Sequence, residues 1–167
     1  SFVGTGLGSG ITSCLVGLNS IYLLNAQDTI VVKNGSFESP AISNNDTLGL
    51  NTDNTPNWVI TQPNNVLLLN NRTVYTAYPY YVKIPYPSGN QCIVLRGTCS
   101  IYQNIYFNAG SYRVVFHLSK AGVYDNFITV NINNLVIYTL PSITDNGWNV
   151  YTADFTIPSA GTYRLSF

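Results

Sequence analysis

The 167-residue chain is 46% hydrophobic but only 8% charged, and its seven basic and seven acidic residues cancel. That is apolar matter enough for one full core, while the absence of any Lys/Arg cluster excludes binding driven by phosphate neutralisation. Ordinary domains carry roughly 25% charged residues; here uncharged hydrogen-bonding groups take their place, with 21 Asn, 14 Ser, 16 Thr and 13 Tyr. Such a surface gives a free monomer little colloidal protection and favours an assembly component or a glycan-coated surface over a cytosolic enzyme.

The chain opens on SFVGTGLGSG, a Gly-rich stretch whose spacing fits neither a dinucleotide fingerprint nor a P-loop. Residues 11–24, ITSCLVGLNSIYLL, carry no charge, but Thr12, Ser13, Gly17, Asn19 and Ser20 make them too polar to span a membrane, and they lack the basic start of a cleaved leader. Residues 1–27 therefore read as an extended N-terminal arm or linker that packs against a neighbouring subunit or against the domain, and residues 28–167 as the folded domain. In that domain Thr29 to Val32 is a β-branched strand turned by Asn34-Gly35, and residues 38–57 are a long polar loop. Trp58 to Ile60 and Val66 to Leu69 are short strands, and residues 75–87, rich in Tyr and Pro, are an aromatic loop.

From Tyr86 to Phe107 the pattern predicts a β-hairpin with one buried face, Cys92 to Leu95 turning at Arg96-Gly97-Thr98 into the alternating run Ile101, Gln103, Ile105, Phe107. Gln103 lies on the apolar side and must satisfy backbone groups there. Tyr112 to Leu118 and Ile128 to Ile132 alternate next, and Asn133-Asn134 is a tight turn into Leu135 to Tyr138. Trp148 to Ile157 and Tyr163 to Phe167 complete about nine short strands. No stretch holds a 3.6-residue period over three turns. The prediction is an all-β, antiparallel β-sandwich of jelly-roll type with a core that includes Phe37, Trp58, Val94, Ile101, Ile105, Val114, Phe116, Ile132 and Phe155.

Chemistry-bearing residues are sparse. Cys14, Cys92 and Cys99 show no metal-ligand spacing; Cys92 and Cys99 read either as a disulfide across the hairpin or as buried thiols. Asn34, Asn45 and Asn71 begin glycosylation sequons, no more than this composition produces by chance. His117 is the only histidine, without a GxSxG elbow, and reads as a structural or groove-lining residue. Glu38 is the only glutamate and the aspartates are scattered, so the carboxylate pair of a glycosidase is not in evidence. The expectation is a protein that is not an enzyme.

A succession of motifs organises residues 30–167: Asn34-Gly35-Ser36-Phe37-Glu38-Ser39-Pro40, Pro56-Asn57-Trp58, Gly89-Asn90-Gln91 and Ile101-Tyr102-Gln103. Gly110-Ser111-Tyr112-Arg113, then Trp148, Tyr151 and Phe155, and finally Gly161-Thr162-Tyr163-Arg164 follow. In this order they resemble the galactose-binding-like jelly rolls of the carbohydrate-binding-module type, and the Asn/Tyr/Ile-rich sequence is similar to copies of that module in surface and capsid-associated proteins of large DNA viruses. The resemblance implies a structural calcium near Glu38, completed by a last-strand acidic residue. The chain reaches Phe167 before that strand, so a sandwich lacking its last strand is expected.

The resemblance and the clustered aromatics together make a glycan site the candidate: Tyr78, Tyr80, Tyr81, Tyr86 and Asn90, with Arg96 and Tyr124 from other loops. Aromatic faces suit the apolar side of a sugar ring and neutral amides its hydroxyls. The expected role is a non-enzymatic structural component of a viral capsid, fibre or other surface assembly, located in the virion. The alternative is a glycan-binding module at the cell surface or outside the cell. The expected partners are neighbouring subunits, through residues 1–27, and surface glycans; no nucleic acid, no membrane span and no cofactor beyond the implied calcium is expected.

Overall fold

The computed structural model describes residues 15–25, 29–30, 32–63, 65–71, 74–75, 80–82, 84–121, 127–144 and 147–167. They contain no helix. The strands are β1 (Leu15–Asn25), β2 (Thr29–Ile30), β3 (Thr47–Leu50), β4 (Val59–Ile60), β5 (Val66–Asn70), β6 (Val74–Tyr75) and β7 (Tyr80–Tyr81). After them come β8 (Gln91–Arg96), β9 (Ile101–Phe107), β10 (Gly110–Lys120), β11 (Ile128–Ile132), β12 (Leu135–Leu140), β13 (Asn149–Ile157) and β14 (Gly161–Ser166). A seven-stranded antiparallel sheet, in the order β13-β10-β1-β8-β5-β3 with β2 beside β1, packs on a five-stranded sheet, β12-β11-β14-β9-β4. The molecule is an antiparallel β-sandwich.

Residues 15–25 are not an arm. They form a central strand of the larger sheet, pairing with β10 from Val16↔Lys120 to Asn25↔Tyr112 and with β8 from Leu15↔Arg96 to Leu18↔Ile93. Val16, Leu18, Ile21 and Leu23 are buried in the main core. Of the residues that made this stretch look too dilute, Gly17, Asn19 and Ser20 each have a task. Gly17 leaves room for Trp148, and Asn19 is a buried amide. Ser20, with φ of 53°, sits in a bulge where the register with β10 shifts. The bulge frees the Ile21 N–H to bond Gly35 O at 2.9 Å. A Cβ on Gly35 would collide with the Ile21 carbonyl, so only glycine permits this approach. Residues 1–14 lie outside the described residues.

The hairpin expected over residues 86–107 is a crossing between sheets. β8 lies between β1 and β5 in the larger sheet and β9 between β14 and β4 in the smaller, and residues 97–100 carry the chain from one to the other. The reason is that β8 is apolar on both faces. Ile93 and Leu95 enter the main core, while Cys92 and Val94 join Leu67, Leu69, Val82, Tyr86 and Ala121 in a second cluster on the outer side of the larger sheet. A third short pair, β6 with β7, lies in the intervening aromatic segment. The loop expected over 38–57 likewise contains β3, paired with β5 from Thr47↔Leu69 to Leu50↔Val66.

The expected core and the expected turn after Ile132 are present. All nine residues assigned to the core are buried. Asn133-Asn134 turns β11 into β12, with Asn133 at φ 53°. Cys92, buried, and Cys99, half-buried, are not bonded to each other. The segments Asn108-Ala109-Gly110-Ser111-Tyr112-Arg113 and Ser159-Ala160-Gly161-Thr162-Tyr163-Arg164 are local repeats of one device. In each the tyrosine hydroxyl donates to the carbonyl four residues upstream, Tyr112 to Asn108 and Tyr163 to Ser159, both at 2.9 Å. Each hydroxyl closes the turn that starts its strand, and both rings pack edge-on against Phe107.

Candidate functional site

Most of the motifs converge on one place, and what they build there is a clasp. The segment 33–42 lies across the end of the sandwich with no sheet partners, so its backbone groups need others. Gln91 Oε1 accepts from Ile42 N at 2.8 Å, and its Nε2 donates to Phe37 O at 2.7 Å and Pro40 O at 2.9 Å. Gln103 Oε1 accepts from Lys33 N at 3.0 Å, and its Nε2 donates to Lys33 O at 2.9 Å and Asn57 O at 3.1 Å. Asn19 Nδ2 donates to Gln91 O at 2.7 Å and Ser88 O at 3.2 Å, and its Oδ1 accepts from Ser88 N at 3.1 Å. The buried amide expected at Gln103 thus serves backbone groups, and Gln91 and Asn19 do the same.

Glu38 completes the clasp. Its Oε1 accepts from the backbone N–H groups of Asn90, at 2.9 Å, and Gln91, at 2.8 Å. Gly89, at φ +68°, curves these amides into a nest, and a Cβ there would occupy the space of the carboxylate. The calcium implied by the resemblance does not fit this arrangement. The carboxylate oxygen faces N–H donors, and among the described residues no group of three or more His, Cys, Asp or Glu side chains could hold a metal ion.

Of the residues expected to bind glycan, the three whose side chains are described, Tyr86, Asn90 and Arg96, do not form one surface. Tyr78 and Tyr124 lie outside the described residues. Tyr80 and Tyr81 form β7, opposite Tyr75 and Val74. Tyr86 is 6% exposed, its ring edge-on to Trp148 at 5.9 Å, and belongs to the second core cluster. Asn90 is exposed at one end of β8 and Arg96 half-buried at the other, six residues of extended chain or about 20 Å apart. His117 is half-buried on β10 between Asn19 and Val150, with Nδ1 buried.

The surface that does gather polar and aromatic side chains is the outer face of the smaller sheet. β9 buries Ile101, Gln103, Ile105 and Phe107 and turns Tyr102, Asn104 and Tyr106 outward. On β14, Thr162 and Arg164 face the same way, with Thr162 opposite Tyr106 and Arg164 opposite Asn104. Tyr106 is 64% exposed. The Arg164 guanidinium lies over the Tyr102 ring, 4.1 Å from its centroid, which fixes its plane. On one side of Asn104 is a groove of about 640 Å³ walled by Lys33, Thr52, Asn57, Val59 and Tyr106. On the other is a shallower one of about 320 Å³ walled by Asn133, Asn134, Thr162 and Arg164. Tyr102 and Tyr106 are four residues apart on one strand face, a span of about 13 Å. Sequence reasoning passed over this face because its only signal is the polar half of an ordinary alternating strand, Tyr-x-Asn-x-Tyr.

A family model described as protein of unknown function (DUF642) matches residues 30–167. The match begins after β1, although β1 lies inside the larger sheet. No curated protein and no solved structure matches the chain.

Proposed function

The chain belongs to the DUF642 family, and from that premise we propose that it is a non-enzymatic recognition module, binding glycan along the outer face of the smaller sheet. The observation that carries this reading is the row Tyr102, Asn104, Tyr106 beside Thr162 and Arg164, open to a groove whose walls bring the hydroxyls and amides of Thr52, Thr55, Asn57 and Asn104 together with Lys33 and apolar side chains. An exposed tyrosine ring offers a flat apolar face to a pyranose, and neutral amides match its hydroxyls without the desolvation cost of charged groups. The carbohydrate-binding-module resemblance points the same way, with the site moved from the aromatic loop to the sheet face. The test is retention on an array of plant, algal, bacterial and animal glycans, followed by Tyr106→Ala. Binding that Tyr106→Ala weakens at least tenfold without lowering the melting temperature supports the reading. No retention on any glycan, or binding indifferent to Tyr106→Ala, removes it.

A second reading, a structural component of a viral capsid, fibre or other surface assembly, draws on the sheet edges. β12 and β13 are edge strands of the two sheets, and Leu135, Val136 and Val150 on them are 65%, 53% and 58% exposed. Exposed apolar edges are where sheets add to neighbours. Concentration-dependent association abolished by Leu135→Lys and Val150→Lys supports this reading; a monomer at all concentrations removes it. Either reading places the protein at a virion or cell surface.

A further inference from the structure

The two copies of the Ala-Gly-Ser/Thr-Tyr-Arg device differ in what faces their arginine. In the first, Arg113 on β10 stands opposite Asp154 on β13. The guanidinium is held in a two-pronged pair, Nε to Oδ1 at 2.6 Å and Nη2 to Oδ2 at 2.8 Å. In the second, Arg164 on β14 stands at the same place in the repeat, opposite Asn104 on β9. The position filled by a carboxylate in one copy is filled by a neutral amide in the other. Arg164 is exposed, stacked on Tyr102, and makes no ion pair among the described residues. The larger groove adjoining Asn104 is walled by a second cation, Lys33, and neither groove has an acidic side chain in its walls. Asp53, in the loop that supplies Thr52, is not part of the wall, and Glu38 is turned into its backbone nest.

We infer that the face recognises an acidic glycan, whose carboxylate or sulfate oxygens pair with the Arg164 guanidinium as the Asp154 carboxylate pairs with Arg113. This rests on the glycan reading above and names the ligand class within it. A guanidinium prefers planar, two-oxygen partners, and one already flattened on an aromatic ring loses little freedom on pairing. Tyr106 would carry the neighbouring ring and Lys33 a further acidic group along the chain. A protein with so few charges that leaves one cation in each of two adjoining grooves, and no acid in the walls of either, is built to select for charge there.

The test uses the full chain, with alginate, hyaluronan and polygalacturonate fragments as uronic acid probes. Their carboxyl-reduced counterparts serve as neutral probes and a sulfated galactan as the second acidic source. Binding is followed by calorimetry at two salt concentrations. The expected result is that at least one acidic probe binds tenfold or more tightly than its neutral counterpart, and that added salt weakens it. The uronic acid and galactan arms show which anion is preferred. Asn104→Asp, which copies the Arg113–Asp154 arrangement, and Arg164→Gln should each remove that preference, read as the ratio of acidic to neutral affinity. Arg113→Gln should alter neither. Equal binding of acidic and reduced probes, or a preference that survives Asn104→Asp in a protein of unchanged melting temperature, overturns the inference and leaves the glycan reading standing. Binding to neutral glycans alone does the same. Binding to no probe and no array glycan overturns both.

Discussion

Gln91→Ala should be among the most damaging single changes in this protein, although nothing apolar is lost. The Gln91 side chain is 1% exposed and holds three backbone groups of the 33–42 segment: Ile42 N, Phe37 O and Pro40 O. Each stranded group costs about 1–3 kcal/mol if water cannot replace the amide. Phe37 is buried, whereas Pro40 and Ile42 are half-buried and can recruit water, so the full cost falls mainly on Phe37 O. The expected loss is about 3–4 kcal/mol, a large share of the roughly 5–15 kcal/mol that holds a domain together. For a domain of this size that is a fall in Tm of about 6–16 °C, at about 2–4 °C per kcal/mol. Urea unfolding followed by fluorescence of Trp58 and Trp148 measures it. Gln91→Glu separates hydrogen bonding from packing. It keeps the volume but points an acceptor at the Phe37 and Pro40 carbonyls, so it should be nearly as damaging at pH 7. Its deficit should shrink in acid, because burial beside two carbonyls raises the new carboxyl's pKa and protonation restores a donor. A loss under 1 kcal/mol for Gln91→Ala, or a neutral Gln91→Glu, would refute the claim that the clasp holds this loop.

Gly35→Ala should destabilise by about 2 kcal/mol or more, since the obstacle is the Ile21 backbone and not a movable side chain; thermal melts check it. A chain shortened to begin at Asp28 should fail to fold, because β8 and β10 lose the strand between them; dispersed amide NMR signals from that chain would show otherwise. Burial pushes the Cys92 thiol far above the usual thiol range, with a hydrogen bond from Tyr86 opposing it only in part. Peptide mapping after iodoacetamide treatment at pH 8 should find Cys92 unmodified in the folded protein and modified in urea. The hydrogen bond from Arg113 holds the Asp154 carboxyl below the usual carboxylate range. Whatever the pair contributes is therefore present at neutral pH and lost only as pH falls through that lowered value, and the contribution is small because both groups are exposed. Asp154→Asn should leave the neutral-pH melt unchanged and flatten the acid limb; a large loss at pH 7 would contradict this.

The sandwich was legible wherever one strand face is apolar and the other is not. β9, β11, β13 and β14 alternate in sequence as they do in space. Strands with other surroundings were not legible. β1 mixes polar and apolar residues because it lies inside a sheet, carries a bulge and donates Asn19 to the clasp, so its period is broken at Ser20. β8 looks like half of a hairpin because a run apolar on both faces does not reveal which sheet it joins. The motifs were seen in order, and the backbone-satisfying task of Gln103 with them, but Glu38 was expected beside a calcium and Asn34 and Gln91 were given no structural task. All four hold a segment without sheet partners. The candidate surface was hidden for the opposite reason, since a tyrosine on the wet side of a strand gives no sequence signal until register brings Arg164 beside it.

The position of β1 also has a consequence in time. The chain is made from its N-terminus, but Leu18 pairs with Ile93 on one side and Leu118 on the other. At about 5–20 residues per second, the second of those partners leaves the ribosome roughly 5–20 s after the strand itself. Until the first of them emerges an apolar strand has neither neighbour, and until the second it keeps an open edge, a species prone to wrong pairing. Productive folding must therefore start late, among β8 to β14, with β1 inserted as a closing strand between partners that are already present. Such long-range closure is slow. Expression at low temperature or with a holdase chaperone should accordingly raise the soluble yield more than any change to the surface.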